Sequence, residues 1–300
     1  MWLQSKQFND ETDDFKNIIK LICSLNSDEV YDWSLGRIID WKYGLWNDKK
    51  QEPCFFSKTT TLWYSYLDEL VGFVLSEDGS NELQYVVNKK YTFLYDDMIK
   101  LSKEKYKIIE TVCTISDSEK VNYLIKNGFS DAGEYEVTFV YSASDFVSLN
   151  VDLPNKYAIQ TMDLYKNYTS QINLRRNAFR NNRELTPKDY YAYEFVKKSP
   201  IYDPKMDFVV TNELQEAVAG CEGFIDYQNS IMEIERVCTH SEYRQKGLAK
   251  AVICECIKQG LLRGVKRIQI TGLNDITQKI YASYGKSKKI IKHKFIYEGA

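Results

Sequence analysis

The stretch Ile231-Met232-Glu233-Ile234-Glu235-Arg236-Val237-Cys238-Thr239-His240-Ser241-Glu242-Tyr243-Arg244-Gln245-Lys246-Gly247-Leu248-Ala249-Lys250 decides how this chain is read. Its first part alternates apolar and charged side chains, the period of a half-buried strand. Beyond a short polar turn, Ala249, Val252, Ile253, Cys256, Ile257 and Gly260 recur at the spacing of one helical face, and Gly264 is placed to cap the helix. A strand, a turn and a helix are therefore expected. The first N–H groups of such a helix have no intrahelical partner, and their aligned dipoles add partial positive charge at one spot. Arg244, Lys246 and Lys250 surround that spot, and Gly247 keeps a Cβ out of the approach. These residues describe an anion site suited to a diphosphate. The plainer reading is an ordinary helix start with solvated basic side chains.

Working outward, residues 207–211, 217–227 and 231–237 read as three successive antiparallel strands. Residues 157–162 read as a strand and 168–181 as a helix with a charged, solvated face of Arg175, Arg176 and Arg180. Downstream come a strand at 266–271, a helix at 277–284 and a strand at 289–297. The first half repeats this order weakly, which marks a repeat at domain scale. It shows a helix at 14–25, strands at 61–66, 69–76 and 82–87, a helix at 95–105, a strand at 107–113, a helix at 118–127 and a strand at 134–141. Residues 33–46 are aromatic and irregular, a helix pair or a packed loop. The boundary is expected in the polar segment 142–154, giving domains 1–145 and 146–300.

Composition narrows the function classes. With 44% hydrophobic and 27% charged residues, the 300-residue chain has apolar surface enough for two ordinary domains. Lys plus Arg (40) nearly balance Asp plus Glu (42), for a formal charge of -2, so the basic excess that nucleic-acid binding needs is missing. Seven cysteines, an odd number without a CxxC pair, point to reduced, mostly buried thiols in a cytoplasmic protein and not to a metal or disulfide framework. No signal-peptide pattern and no membrane-spanning apolar run stand out, so no membrane partner is expected.

Arg244-Gln245-Lys246-Gly247-Leu248-Ala249 matches the Q/R-x-x-G-x-G/A pyrophosphate loop of GNAT acyltransferases, and Asn274 with Ile280-Tyr281-Ala282-Ser283-Tyr284-Gly285 matches a second family element. Residues 157–297 thus resemble a GNAT domain; Lys286 departs from it, standing where the family usually has Phe. The resemblance implies an α/β fold of two tandem GNAT-like domains, each a mixed, mostly antiparallel sheet flanked by helices. It implies acetyl-CoA, or another acyl-CoA, as cosubstrate without a metal, and direct acetyl transfer to a primary amine in a ternary complex. Backbone groups of Val237, Cys238 and Thr239 would then hold the pantetheine arm, and amides of Gln245, Lys246, Gly247, Leu248 and Ala249 the pyrophosphate. Asn274 would touch the cofactor arm and Tyr281 would protonate the departing thiolate. Glu233 and Glu235, two apart on one strand, share a face, and either is a candidate base.

Each assignment has a bland counterpart. Tyr281 is otherwise a core aromatic, Glu233 and Glu235 an exposed strand face, and Cys238 packing, since no His–Asp set accompanies it. His240 supports the turn. The first half has no glycine loop after Val87, and Leu124 stands where Tyr281 stands in the second, so it reads as a degenerate copy. Trp33, Trp41, Trp46 or Trp63 would line the acceptor cleft, or else belong to the core. Two other functions stay open: a tRNA-dependent aminoacyltransferase, which also carries two GNAT-like domains, and a non-catalytic CoA-ligand sensor. Whether the amine is a small molecule or a peptide, and the oligomeric state, are not legible.

Overall fold

The computed structural model describes residues 3–27, 33–45, 48–146, 149, 153–180 and 184–299. They fall into two compact units, residues 1–137 with 290–300, and residues 138–289. In the first unit the order is β1 (Leu3–Gln7), α1 (Asp14–Asn26), α2 (Leu35–Tyr43), α3 (Phe55–Thr59), β2 (Thr60–Ser65), β3 (Leu70–Ser76), β4 (Leu83–Val87), α4 (Leu94–Lys105), β5 (Ile108–Thr114), α5 (Ser118–Lys126) and β6 (Phe129–Ser142). Strands β1 to β4 form an antiparallel meander in chain order. β4 then approaches β5 through a parallel bridge at Glu82 and Glu110. The apolar stripe of α1 packs inward through Ile18, Leu21 and Ile22, and β3 is buried along its whole length. Trp33, Trp41 and Trp63 are all core residues, at 5%, 0% and 6% exposure, which settles their bland reading. Trp46 lies outside the described residues, as does Asn181 at the end of an expected helix.

The second unit runs β7 (Ala158–Thr161), α6 (Tyr168–Phe179), α7 (Pro187–Val196), β8 (Asp207–Thr211), β9 (Ala217–Asp226), β10 (Ile231–Thr239), α8 (Leu248–Leu262), β11 (Arg267–Gly272) and α9 (Asp275–Ala282), after which β12 (Lys288–Glu298) belongs, from Ile290 on, to the first unit. Strands β7, β8, β9 and β10 pair antiparallel, and β10 pairs parallel with β11. The end of β6 lies on the far side of β11, where the Thr138 and Thr271 hydroxyls bond at 2.8 Å. A Cβ at Gly220 would meet Leu174 of α6, whereas one at Gly223 would meet Cys256 of α8. Those positions differ in strand parity, so α6 and α8 cover opposite faces of the sheet. α8 ends as expected: Gly264 N donates to Leu261 O and Val265 N to Gly260 O, the two bonds of a Schellman cap. β12 pairs with β5 of the first unit, from Lys292 against Thr114 to Glu298 against Ile108, and Phe295 enters the core around Tyr85, Met98 and Ile109.

Candidate functional site

In the second unit β10 parts from β11 partway along its length. The parallel pairing runs from Ile231 to Ile234 and stops. On the other side, Glu235 faces Glu222 but Cys238 faces Gly220, so β10 carries one residue more than β9. That extra residue is accommodated by Arg236 in the left-handed region, with φ at 52°. A bulge of this kind bends the strand and re-aims its side chains. Past the bulge, Cys238 and Thr239 pair again with β9, whereas the register with β11 among the described residues ends at Ile234. Val237 and Thr239 are half-buried and Cys238 is buried, its thiol raised to about 12 by burial, which leaves it inert as a nucleophile.

The turn after β10 is braced from two directions. His240 Nδ1 accepts from Glu242 N at 3.4 Å, the supporting role read from the sequence. Asn177 of α6 accepts from Ser241 N at 2.7 Å. Gln245 and Gly247 then adopt left-handed backbone, with φ at 61° and 75°. Gly247 is the N-cap of α8 and gives the helix no side-chain cap. A Cβ at Gly247 would meet nothing within 4 Å, so the glycine serves the backbone angle and an open approach. Arg244, Gln245, Lys246, Gly247 and Lys250 are exposed, Ala249 is half-buried, and buried Leu248 anchors the helix start. Left-handed residues ahead of a helix without a side-chain cap, with exposed basic side chains around them, are the kind of backbone that binds anions.

Tyr281 of α9 is 5% exposed, and its carbonyl accepts from the Tyr141 hydroxyl. Burial, and then the charge of Glu235, push its phenol well above the usual range. Glu235, half-buried at the bulge, is the charge that phenol feels most after burial itself. Glu233, two residues deeper in β10 opposite Phe224, is buried at 7% exposure. Asn274 is exposed and serves as the N-cap of α9, its Oδ1 accepting from Thr277 N at 3.0 Å.

The face covered by α6 holds charges that sequence reasoning missed. Arg175 and Arg176 are not a solvated helix face; only Arg180 is exposed. Arg176 pairs with Asp189 of α7, and Arg175 bridges Asp207 of β8 and Glu222 of β9. Asp207 also accepts from Gln171 Nε2 at 2.8 Å and from the Tyr202 hydroxyl at 3.0 Å. Burial first, and the nearby Glu222 second, raise the Asp207 carboxyl to about 7. Lys197 sits 3.6 Å over the Tyr168 ring and 4.0 Å over that of Tyr193, and burial lowers its ammonium to about 8. In the first unit the matching turn after β4 is a short 3-10 segment, Lys89–Tyr91, capped by the Asn88 side chain. A cavity of about 240 Å³ opens there, lined by Trp33, Tyr95, Asp117 and Glu119 among others. Among the described residues no cluster of three or more His, Cys, Asp or Glu is placed to hold a metal, and no helix is long and apolar enough to cross a membrane.

Comparison with known proteins follows this geometry. The sequence profile of the Acetyltransferase (GNAT) family matches residues 169–285, inside the second unit. No curated protein matches the chain in sequence. Among solved structures, a GNAT-family acetyltransferase from Colwellia psychrerythraea is similar at TM-score 0.63 and 12% identity, over 98% of this chain and 99% of that one. A tandem GNAT protein of the clavulanic acid biosynthesis pathway, solved without AcCoA, is similar at TM-score 0.60 and 11% identity over 98% of both chains. A GCN5-related N-acetyltransferase from Sphaerobacter thermophilus gives TM-score 0.59 and 12% identity, over 97% of this chain and 95% of that one. At such identities the likeness is one of fold, and it runs the whole length of the chain. Residues 169–285 therefore carry a domain of the GNAT acetyltransferase family, and the chain as a whole has the fold of GNAT proteins, tandem ones included.

Proposed function

We propose that this chain is an N-acetyltransferase that moves the acetyl group of acetyl-CoA directly to a primary amine, of a small molecule or a peptide, with one active site in its second half. The reading divides the chain into a degenerate GNAT-like domain, residues 1–145, and a catalytic one, residues 146–300, working in the cytoplasm. The observation that carries it is the open, uncapped start of α8: left-handed Gln245 and Gly247 with Arg244, Lys246 and Lys250 around them. Amides from Gln245 to Ala249 hold the pyrophosphate there, the edge of β10 at Val237 to Thr239 holds the pantetheine arm, and Asn274 borders it. The first unit has a capped turn without glycine at the matching place.

In the reaction the amine nitrogen attacks the thioester carbonyl, a C–N bond forms and the C–S bond breaks. Glu235, half-buried at the bulge, takes the proton from the amine, while Glu233 stays in the interior. Tyr281 gives its proton to the departing thiolate, a role open to a phenol that burial keeps protonated. Calorimetric titration with acetyl-CoA tests the reading beside Gly247→Trp, which forces a side chain onto a left-handed residue at the anion turn. One site per chain, lost in the variant, is expected. No binding by the folded wild type would remove the assignment, and two sites would end the degenerate reading of the first half. Binding without transfer to any amine in a broad screen would favour a CoA-ligand sensor.

A further inference from the structure

A left-handed arginine inside a strand is strained relative to extended backbone. Contacts from outside β10 must therefore hold Arg236 where it is. Arg236 Nη1 donates to Glu222 Oε2 at 2.7 Å, and the other Glu222 oxygen accepts from Arg175 Nη2. Arg175 reaches on to Asp207 at 3.2 Å, so α6, β8, β9 and β10 meet in one group of two guanidiniums and two carboxylates. The group is enclosed: side-chain exposure is 2% for Glu222, 13% for Arg236 and 17% for Arg175. In so little water, loss of one member leaves its partner's charge uncompensated, which fixes the geometry more firmly than a surface pair does. Glu222 is also the residue directly opposite Glu235.

We propose that Glu222 and Arg175 are positioning residues, which through Arg236 hold the β10 bulge and so fix both the edge from Val237 to Thr239 and the placement of Glu235, the residue before the bulge. The inference rests on the acetyl-CoA reading above and names the part of the chain that keeps that site in shape. Helix α6, far from the anion turn in sequence, thereby becomes part of the cofactor machinery.

Two variants test it. Glu222→Gln keeps the shape and removes the charge that both guanidiniums share. Arg236→Gly removes the link and lets the backbone take either hand, so nothing holds the bulge, while Arg175 still faces Glu222 and keeps that carboxylate paired. Calorimetry with acetyl-CoA and steady-state kinetics are the measurements, with thermal melting as the check on folding. Arg236→Gly is expected to melt below the wild type but to stay folded, Arg175 still facing Glu222, and to bind acetyl-CoA roughly ten- to a hundredfold more weakly, the scale of a small misplacement at a site. Its KM for acetyl-CoA rises accordingly, and Arg236→Lys, which returns a donor to Glu222, recovers part of the loss. Wild-type affinity in Arg236→Gly would overturn the positioning role and leave the acetyl-CoA assignment standing. A wild type that does not bind acetyl-CoA would remove both.

Discussion

At the scale of single residues, Tyr281 shows how burial assigns a role. Its phenol is enclosed, its backbone carbonyl is held by Tyr141, and the charge of Glu235 adds to the effect of burial. Both surroundings disfavour the phenolate, burial most, so the group enters the reaction with its proton on. If it donates that proton to the thiolate, Tyr281→Phe should lower kcat by roughly a hundredfold or more while the KM for acetyl-CoA stays near the wild-type value. Steady-state kinetics with acetyl-CoA as the varied substrate separates the two; a kcat within a few-fold of wild type would return Tyr281 to the core. The sequence pointed to Tyr281 through its spacing from Gly285, a local relation. Arg175 and Glu222 gave no such signal, because they meet across 47 positions and an arginine on a helix reads the same whether it faces water or a buried acid.

At the scale of elements, legibility followed periodicity. α8 and β8 to β11 were readable because one face of each is apolar and the repeat is clean. β1, with five largely exposed residues, and α3, with five residues, are too short to show a period. α7 escaped for another reason: its aromatic side chains point several ways, Tyr190 and Tyr191 outward and Tyr193 inward. Its signal lay in the start Thr186-Pro187-Lys188-Asp189, a capping box with proline at the first helical position. That box ties α7 to α6, since Asp189 accepts from Thr186 N at 2.8 Å and also pairs with Arg176. Arg176→Met would strand a buried carboxylate at the helix start and is expected to destabilise by about 3 kcal/mol, whereas Arg180→Met, on the exposed side, should change little. Urea unfolding followed by circular dichroism gives the comparison, and equal, small losses in both variants would restore the solvated-face reading of α6.

At the scale of the whole molecule, the chain's last strand is assigned by its partner and not by its place in the sequence. The pattern of residues 289–297 announced a strand, but no pattern names the strand it pairs with, and here that strand is β5. With β12 comes a buried ion pair, Lys292 Nζ to Glu136 Oε1 at 2.7 Å, while Arg37 Nη2 donates to the other Glu136 oxygen at 2.9 Å. Burial alone would raise the Glu136 carboxyl; the two cations outweigh it and hold it at about 2, from an ordinary 4.5. A carboxyl lowered on folding contributes stability that is present above its unfolded pKa and lost as the pH falls through the folded one. Roughly 2.5 pH units at about 1.4 kcal/mol each amounts to on the order of 3 kcal/mol, present at neutral pH and lost between about pH 4.5 and pH 2. Lys292→Met should therefore destabilise the first unit by about 3 kcal/mol at neutral pH and by less near pH 3. All five tryptophans lie in residues 1–137, so tryptophan fluorescence during urea unfolding follows that unit specifically. An equal loss at both pH values would trace the cost to lost packing of the lysine stem, and no loss at either would mean that β12 is held by its strand pairing and by Phe295 without help from the ion pair.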